Sequence, residues 1–179
     1  MRKTVLTFGL IAGAILSVMM LISLVFHDQI GFDWRGYLVG YTSMVLGFLM
    51  VYFGVRSYRD NVAGGTIRFG KAFGVGLMVA AVASVCYVAT WEVIYFKFMP
   101  DFADKYAAYA VEKVKQSGGT DAQIAEKQKQ MAEFKEMYAN PLVNIAYTFL
   151  EPLPVGLLFT LVTAGVLSRK RRAEGPAVT

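Results

Sequence analysis

The chain has little of what most catalytic and metal-binding sites are built from. Its 179 residues include one cysteine, Cys86, and one histidine, His27. A single cysteine excludes an intramolecular disulfide and a cysteine-based metal site, and Cys86 reads as a small apolar side chain within a helix. A lone histidine leaves no imidazole pair for a metal, so His27 reads as a solvated side chain where an apolar run ends. There is no serine–histidine pair at a loop, no histidine–aspartate cluster and no glycine-rich phosphate cradle. Gly70-Lys71-Ala72 lacks the upstream glycine spacing and the following hydroxyl residue of a phosphate-binding loop. The expectation is a chain that is not an enzyme and that holds no cofactor and no metal. Charged residues are scarce too, at 17% against 56% hydrophobic, which excludes a disordered chain.

What the sequence does have is four long apolar runs, at 4–26, 36–55, 72–96 and 142–167. Crossing a ~30 Å hydrocarbon core as a helix takes about 20 residues, and each run is of that order. Core helices of a soluble protein need apolar residues on one face only, so four such runs have no use in one. The fold class is therefore all-α: a four-transmembrane-helix bundle forming a single integral membrane domain over 1–179. The first run exceeds the ~7–15 apolar residues of a signal peptide, and Leu24-Val25-Phe26-His27 offers no small-residue cleavage pattern, so it reads as a retained helix.

Orientation follows from the basic residues. Arg2 and Lys3 precede the first run, and Arg56, Arg59, Arg68 and Lys71 lie between the second and third. Arg169, Lys170, Arg171 and Arg172 begin the tail at 168–179. The positive-inside bias places both termini and the middle connection in the cytoplasm, with Arg2, Lys3, Arg68, Lys71 and the tail arginines and Lys170 as anchors. The net charge of +5 thus belongs to topology, and no nucleic-acid partner is implied. Between 97 and 141, seven lysines balance seven acidic residues; by parity this segment lies outside.

That outer segment reads as a helical hairpin over about 101–139. Asp101 is a candidate N-cap, and Phe102, Tyr106, Tyr109 and Val114 share a helix face. Ser117-Gly118-Gly119 breaks the helix, and Thr120 with Gln123 has the pattern of a capping box. Ile124, Met131 and Tyr138 recur every seven residues, with Phe134 beside them, and Asn140-Pro141 ends the second helix. Phe102, Tyr106, Ile124, Met131, Phe134 and Tyr138 form the face on which a protein partner would dock. Gly9 with Gly13, Gly36 with Gly40, and Gly70 with Gly74 have the spacing that lets helices in lipid approach closely, within the bundle or in a homodimer. No internal repeat is evident, which argues against transporters built from inverted halves.

Within the apolar runs the only acidic residues are Glu92 and Glu151. Both fall in the half of the bilayer nearest the hairpin, where an ionised carboxyl is costly, so they form a candidate intramembrane polar site, paired or sharing a proton if they meet. Glu151 opens Glu151-Pro152-Leu153-Pro154-Val155-Gly156. Pro152 and Pro154 remove two backbone donors and free carbonyls one turn back, so a kink or break is expected there. Tyr87, Trp91 and Tyr95 form an i, i+4, i+8 stripe, read as an interfacial aromatic anchor.

These motifs together resemble the bacterial membrane proteins grouped as domain of unknown function family 4199. The resemblance rests on Ile67-Arg68-Phe69-Gly70-Lys71-Ala72-Phe73, on Pro100-Asp101-Phe102 with Tyr106, on Asn140-Pro141, and on Glu151 with Pro154-Val155-Gly156 ahead of the basic tail. An apolar residue is more usual in that family where Pro152 stands. The resemblance implies a small four-helix bacterial membrane protein and assigns no activity. The functional expectation is thus a non-catalytic envelope or interaction protein in contact with the lipid bilayer. The alternative is a small proton-coupled transporter or membrane ligand-binding protein using Glu92 and Glu151.

Overall fold

The computed structural model describes residues 1–26 and 30–168. His27 and the anchors Arg169, Lys170, Arg171 and Arg172 lie outside the described residues. The elements are α1 (Arg2–Val25), α2 (Trp34–Asn61), α3 (Phe69–Val93) with a π-helical turn (Ile94–Phe98), α4 (Phe102–Gln116), α5 (Asp121–Tyr138), α6 (Pro141–Leu150) and α7 (Leu153–Leu167). No strand occurs among the described residues. Four stretches are long and apolar enough to span a membrane: Arg2–Val25, Trp34–Asn61, Phe69–Phe98 and Pro141–Leu167. Less than half of each is buried inside the protein. Leu10, Val18, Leu158 and Val162 are among the large apolar side chains that point outward, as helices do when their solvent is lipid.

The packing is fixed by close approaches. A Cβ on Gly9 would fall 2.6 Å from Val82 Cβ, and one on Gly13 would fall 2.5 Å from Cys86 Cβ. Higher up, Ser17 Oγ lies 2.7 Å from Thr90 Oγ1. Residue numbers rise together along both helices, so α1 and α3 run parallel. Gly47 abuts Leu16 while Gly54 abuts Phe8, and Gly76 abuts Thr160 while Gly156 abuts Ala80. Both α2 and α7 are therefore antiparallel to this pair. Phe48, Val51, Val55, Val75 and Val79 fill the centre with no exposed surface.

Of the three glycine pairs, only Gly9 and Gly13 make a close interhelical contact. Gly36 meets the Gly31 carbonyl in its own connection, and Gly40, Gly70 and Gly74 face open space. The helical spacing was real, but which face touches a neighbour depends on tertiary placement.

Helix ends depart from the apolar runs in one instructive place. The second apolar run ends at Val55, yet α2 continues to Asn61 with Tyr58 buried. Arg56 and Arg59 lie on this last stretch, both ion-paired with Asp60. Charge ended the hydropathy but not the helix; Gly64 and Gly65, at φ 70° and 88°, make the turn that does. Arg68 then caps α3 from an extended conformation, and Lys71 stands 5.9 Å from the Tyr58 ring. With Arg2 and Lys3 opening α1, these basic residues share one end of the bundle.

The opposite end carries α4 and α5. The capping box forms, with Thr120 N donating to Gln123 Oε1 at 2.8 Å and Gln123 N to Thr120 Oγ1 at 3.3 Å. Asp101 occupies the N-cap position of α4, but its side chain makes an ion pair with Lys105 instead of capping. α4 and α5 meet through the Tyr106 and Phe134 rings, 5.7 Å apart, and through Lys135 with Asp104. Asn140 does more than end α5: its side chain accepts from Leu142 N at 3.0 Å and starts α6, with Pro141 at the first helical position.

Gly13→Ala should therefore destabilise the bundle by ~1–3 kcal/mol through overpacking, because the Cys86 Cβ it meets is fixed to the backbone. Gly74→Ala, with open space around it, should be neutral or stabilising by up to ~1 kcal/mol from helix propensity. Denaturation midpoints of the two variants in one detergent check the contrast.

Candidate functional site

A group of polar side chains from the apolar helices meets at the end that carries α4 and α5. Tyr87 and Trp91, one turn apart on α3, share a face. Tyr87 Oη donates to Glu151 Oε2 at 2.9 Å. Trp91 Nε1 donates to Tyr138 Oη at 3.0 Å and lies 3.2 Å from Asn144 Oδ1. Asn144 is wholly buried; its Oδ1 also accepts from Thr148 Oγ1 at 3.2 Å, and its Nδ2 donates to the Tyr138 carbonyl at 3.4 Å. An amide in apolar surroundings is tolerated when its donors and acceptors are matched. One hydrogen-bonded cluster thus joins α3, α5 and α6.

This corrects the reading of Tyr87, Trp91 and Tyr95 as anchors at a lipid interface. Tyr95 is buried, with its ring 5.3 Å from that of Tyr138, and Trp91 lies 4.8 Å edge-to-face from Phe102. The stripe turns inward because α5 and α6 bring it the partners that water would otherwise supply.

Glu151 stands where the fourth apolar run divides. α6 ends at Leu150, Glu151 keeps helical angles (φ −64°, ψ −53°), and α7 begins after Pro152. Pro152 and Pro154 cannot donate to the carbonyls of Thr148 and Leu150, so the ladder is interrupted beside the carboxyl. The residue is exposed and is among those lining a cavity of about 390 Å³. Tyr87, Trp91, Thr148 and Glu151 form one wall of that cavity. Leu16, Met20 and Ser23 of α1 face them, with Tyr37, Tyr41 and Met44 of α2. Phe102 and Tyr106 of α4 and Tyr138 of α5 close it from the end. Phe32, in the connection before α2, packs edge-on to Phe102 and Tyr106 at 5.5 and 5.7 Å.

Glu92 is not in this wall. One residue past Trp91 means about 100° of rotation around the helix, away from the cavity. Its Oε1 is buried with no hydrogen-bond partner among the described residues. The two carboxyls do not share a face, and Glu151 bonds to Tyr87 rather than to Glu92. Sequence reasoning also passed over Tyr37, Tyr41 and Asn144. A Tyr-x-x-x-Tyr repeat on α2 matching Tyr87-x-x-x-Trp91 on α3, and an asparagine inside an apolar run, were the available signals. Among the described residues no group of three histidine, cysteine, aspartate or glutamate side chains is placed to hold a metal.

At the edge of the cavity, burial raises the Tyr138 phenol above its ordinary value. Burial also raises Tyr106, assisted by its hydrogen-bonded neighbour Tyr37 and by Tyr109.

These features define an all-helical protein with four membrane-length apolar helices and an aromatic, single-carboxyl cavity at one end of the bundle. The chain belongs to the family described as Protein of unknown function (DUF4199), which matches it over residues 7–169. No curated protein and no solved structure matches it.

The raised Tyr138 phenol gives a signed pH dependence. Its contribution to stability is fully present below the unfolded value of about 10 and is lost as pH rises through the higher folded value, because the unfolded chain then releases the proton first. Wild type should lose stability faster than Tyr138→Phe above about pH 10, measured as unfolding midpoints across that range.

Proposed function

We propose that this is a non-catalytic protein of the bacterial inner membrane that binds a small ligand in the cavity at the α4–α5 end, with Glu151 as the polar anchor of the site. The observation that carries the reading is the cavity itself. Its volume of about 390 Å³ falls among small-molecule sites, and its lining has their composition: aromatic and aliphatic walls with a few converging polar groups. The reading gives Glu151 the central role and leaves Glu92 outside it. What favours binding over catalysis is that the wall offers a carboxyl and phenols without a nucleophile–base pair.

In this reading Arg2, Lys3, Arg68 and Lys71 mark the cytoplasmic end. The cavity then opens in the outer half of the bilayer, and α4 with α5 forms a hairpin on the outer side that roofs it. The aromatic face of that hairpin is used within the chain, by the cavity, before any protein partner reaches it.

A neutral aromatic alcohol, para-fluorobenzyl alcohol, tests the binding reading by fluorine NMR in nanodiscs. Wild type should give a saturable shift. Gly40→Trp should abolish it, since Gly40 lines the cavity and a side chain there meets nothing within 4 Å. Its melting temperature should match or exceed that of wild type. A probe signal indistinguishable from that in empty nanodiscs would refute the site.

Topology has its own test. Reporters joined after Thr179 or placed within 61–66 should report cytoplasm, and one at Gly118 should report the outside. An external carboxyl terminus would overturn the orientation.

A further inference from the structure

The cavity wall has an unusual balance of hydrogen-bonding capacity. Its donors are largely engaged within the protein: Tyr87 Oη–H with Glu151, and Trp91 Nε1–H with Tyr138 and Asn144. What remains open are one carboxylate oxygen, tyrosine hydroxyls and ring faces. Glu151 Oε1 makes no hydrogen bond among the described residues, since the bond from Tyr87 goes to Oε2. The described lining contains that one carboxyl and no lysine, arginine or histidine. An anionic ligand finds no counter-charge among the described lining residues, only tyrosine hydroxyls. A cation finds both a carboxylate and the negative faces of aromatic rings.

Building on the binding reading above, we propose that the ligand of this cavity is an amphiphilic organic ammonium carrying a single positive charge. Its charged head lies against Glu151 and the aromatic rings around it, and its apolar part lies along the α1–α2 wall. Aromatic side chains reach the site from several directions: Tyr87 and Trp91 from α3, Tyr37 and Tyr41 from α2, Tyr106 from α4 and Tyr138 from α5. Ring faces surrounding one position are what recognise quaternary and alkylated ammonium groups, whose charge is too weakly hydrated to prefer water strongly. The carboxylate supplies the neutralising charge, and the Tyr87 hydroxyl holds its other oxygen in place. Leu16 and Met20 of α1 with Met44 of α2 supply the apolar side, Met being adaptable to irregular shapes.

Charge also separates a free ammonium from a phospholipid headgroup that contains one. A zwitterionic headgroup brings a phosphate within a few bonds of its amine, and the described lining has no cation to receive it. One carboxyl and one ammonium give a neutral complex, which is the condition for placing charge at membrane depth at low cost. The occupant is therefore a free amphiphilic monocation and not a lipid head.

The test uses the whole protein in nanodiscs with two fluorinated probes of equal shape. One is para-fluorobenzyl-trimethylammonium; the other is its neutral carbon isostere, para-fluoro-neopentylbenzene. Wild type should bind the ammonium at least about tenfold more tightly than the isostere, as expected for a desolvated ring cage with a counter-charge. Glu151→Gln should erase that preference and leave the isostere unchanged, whereas Glu92→Gln should leave both. Should Glu151→Gln fail to fold, the comparison within wild type still decides. Saturable binding of both probes with equal affinity would overturn the ammonium assignment and leave the binding reading standing. No saturable binding of either would overturn both. Hexylphosphocholine should displace the ammonium only weakly. Displacement as strong as that by unlabelled benzyltrimethylammonium would overturn the free monocation in favour of a lipid headgroup.

Discussion

The register of α1 against α3 is the contact on which the rest of the molecule depends. Gly9 and Gly13 let the two helices approach until Val82 and Cys86 fill the space that side chains would take. That approach fixes the rotation of α3. With Val82 and Cys86 set against α1, Tyr87 and Trp91 lie about 100° further round the helix, where they reach α6 and the cavity. A helix has one rotational setting, so the same contact decides which residues can meet Glu151 and which, like Glu92, cannot. Dispersion and close backbone contact take over here the role that hydrophobic burial plays in water.

The second constraint is hydrogen-bond closure where water is scarce. Trp91, Asn144, Thr148 and Tyr138 satisfy one another across three helices. Glu151 meets Tyr87 at the point where prolines have already interrupted the helix. This cluster lies at one end, while Phe48, Val51, Val75 and Val79 fill the centre of the bundle. Two buried exceptions stand out, Glu92 Oε1 and Thr160 Oγ1, neither with a partner among the described residues. Thr160 sits with its methyl against Gly76, where the shape of the side chain suits the close crossing and its hydroxyl does not.

Much of the fold was legible because run length and proline chemistry are local properties. Four apolar stretches, the basic residues at their ends, the capping box at Thr120 and the division at Pro152 all follow from near neighbours in sequence. At the site, Glu151 and its prolines stood out in the sequence, but the direction in which each carboxyl points did not. Glu92 and Glu151 were placed at similar levels from their distance to the helix ends. Which of them faces a cavity is set by packing around α3, which no short window contains. The aromatic stripe failed for the same reason: Tyr87, Trp91 and Tyr95 have the chemistry of lipid-interface residues and of a polar interior alike. Asn144, on another helix and more than fifty residues away, decides between them. The α2 extension past Val55 shows a different limit, since hydropathy reports what surrounds a helix and not where its backbone bonds stop.

The break at Glu151 also has a mechanical side. α6 and α7 are two stiff rods, about 15 and 22 Å long at 1.5 Å per residue, joined at a point with missing backbone bonds. One rod is tied to Trp91 and Tyr138; the other is wedged against α2 and α3 by Gly156 and Thr160. The backbone ladder between them lacks the two bonds that the prolines remove, so the joint resists bending less than either rod does. The carboxyl at that joint belongs to neither rod, so its position is set jointly by the angle between them and by the Tyr87 hydroxyl that holds it.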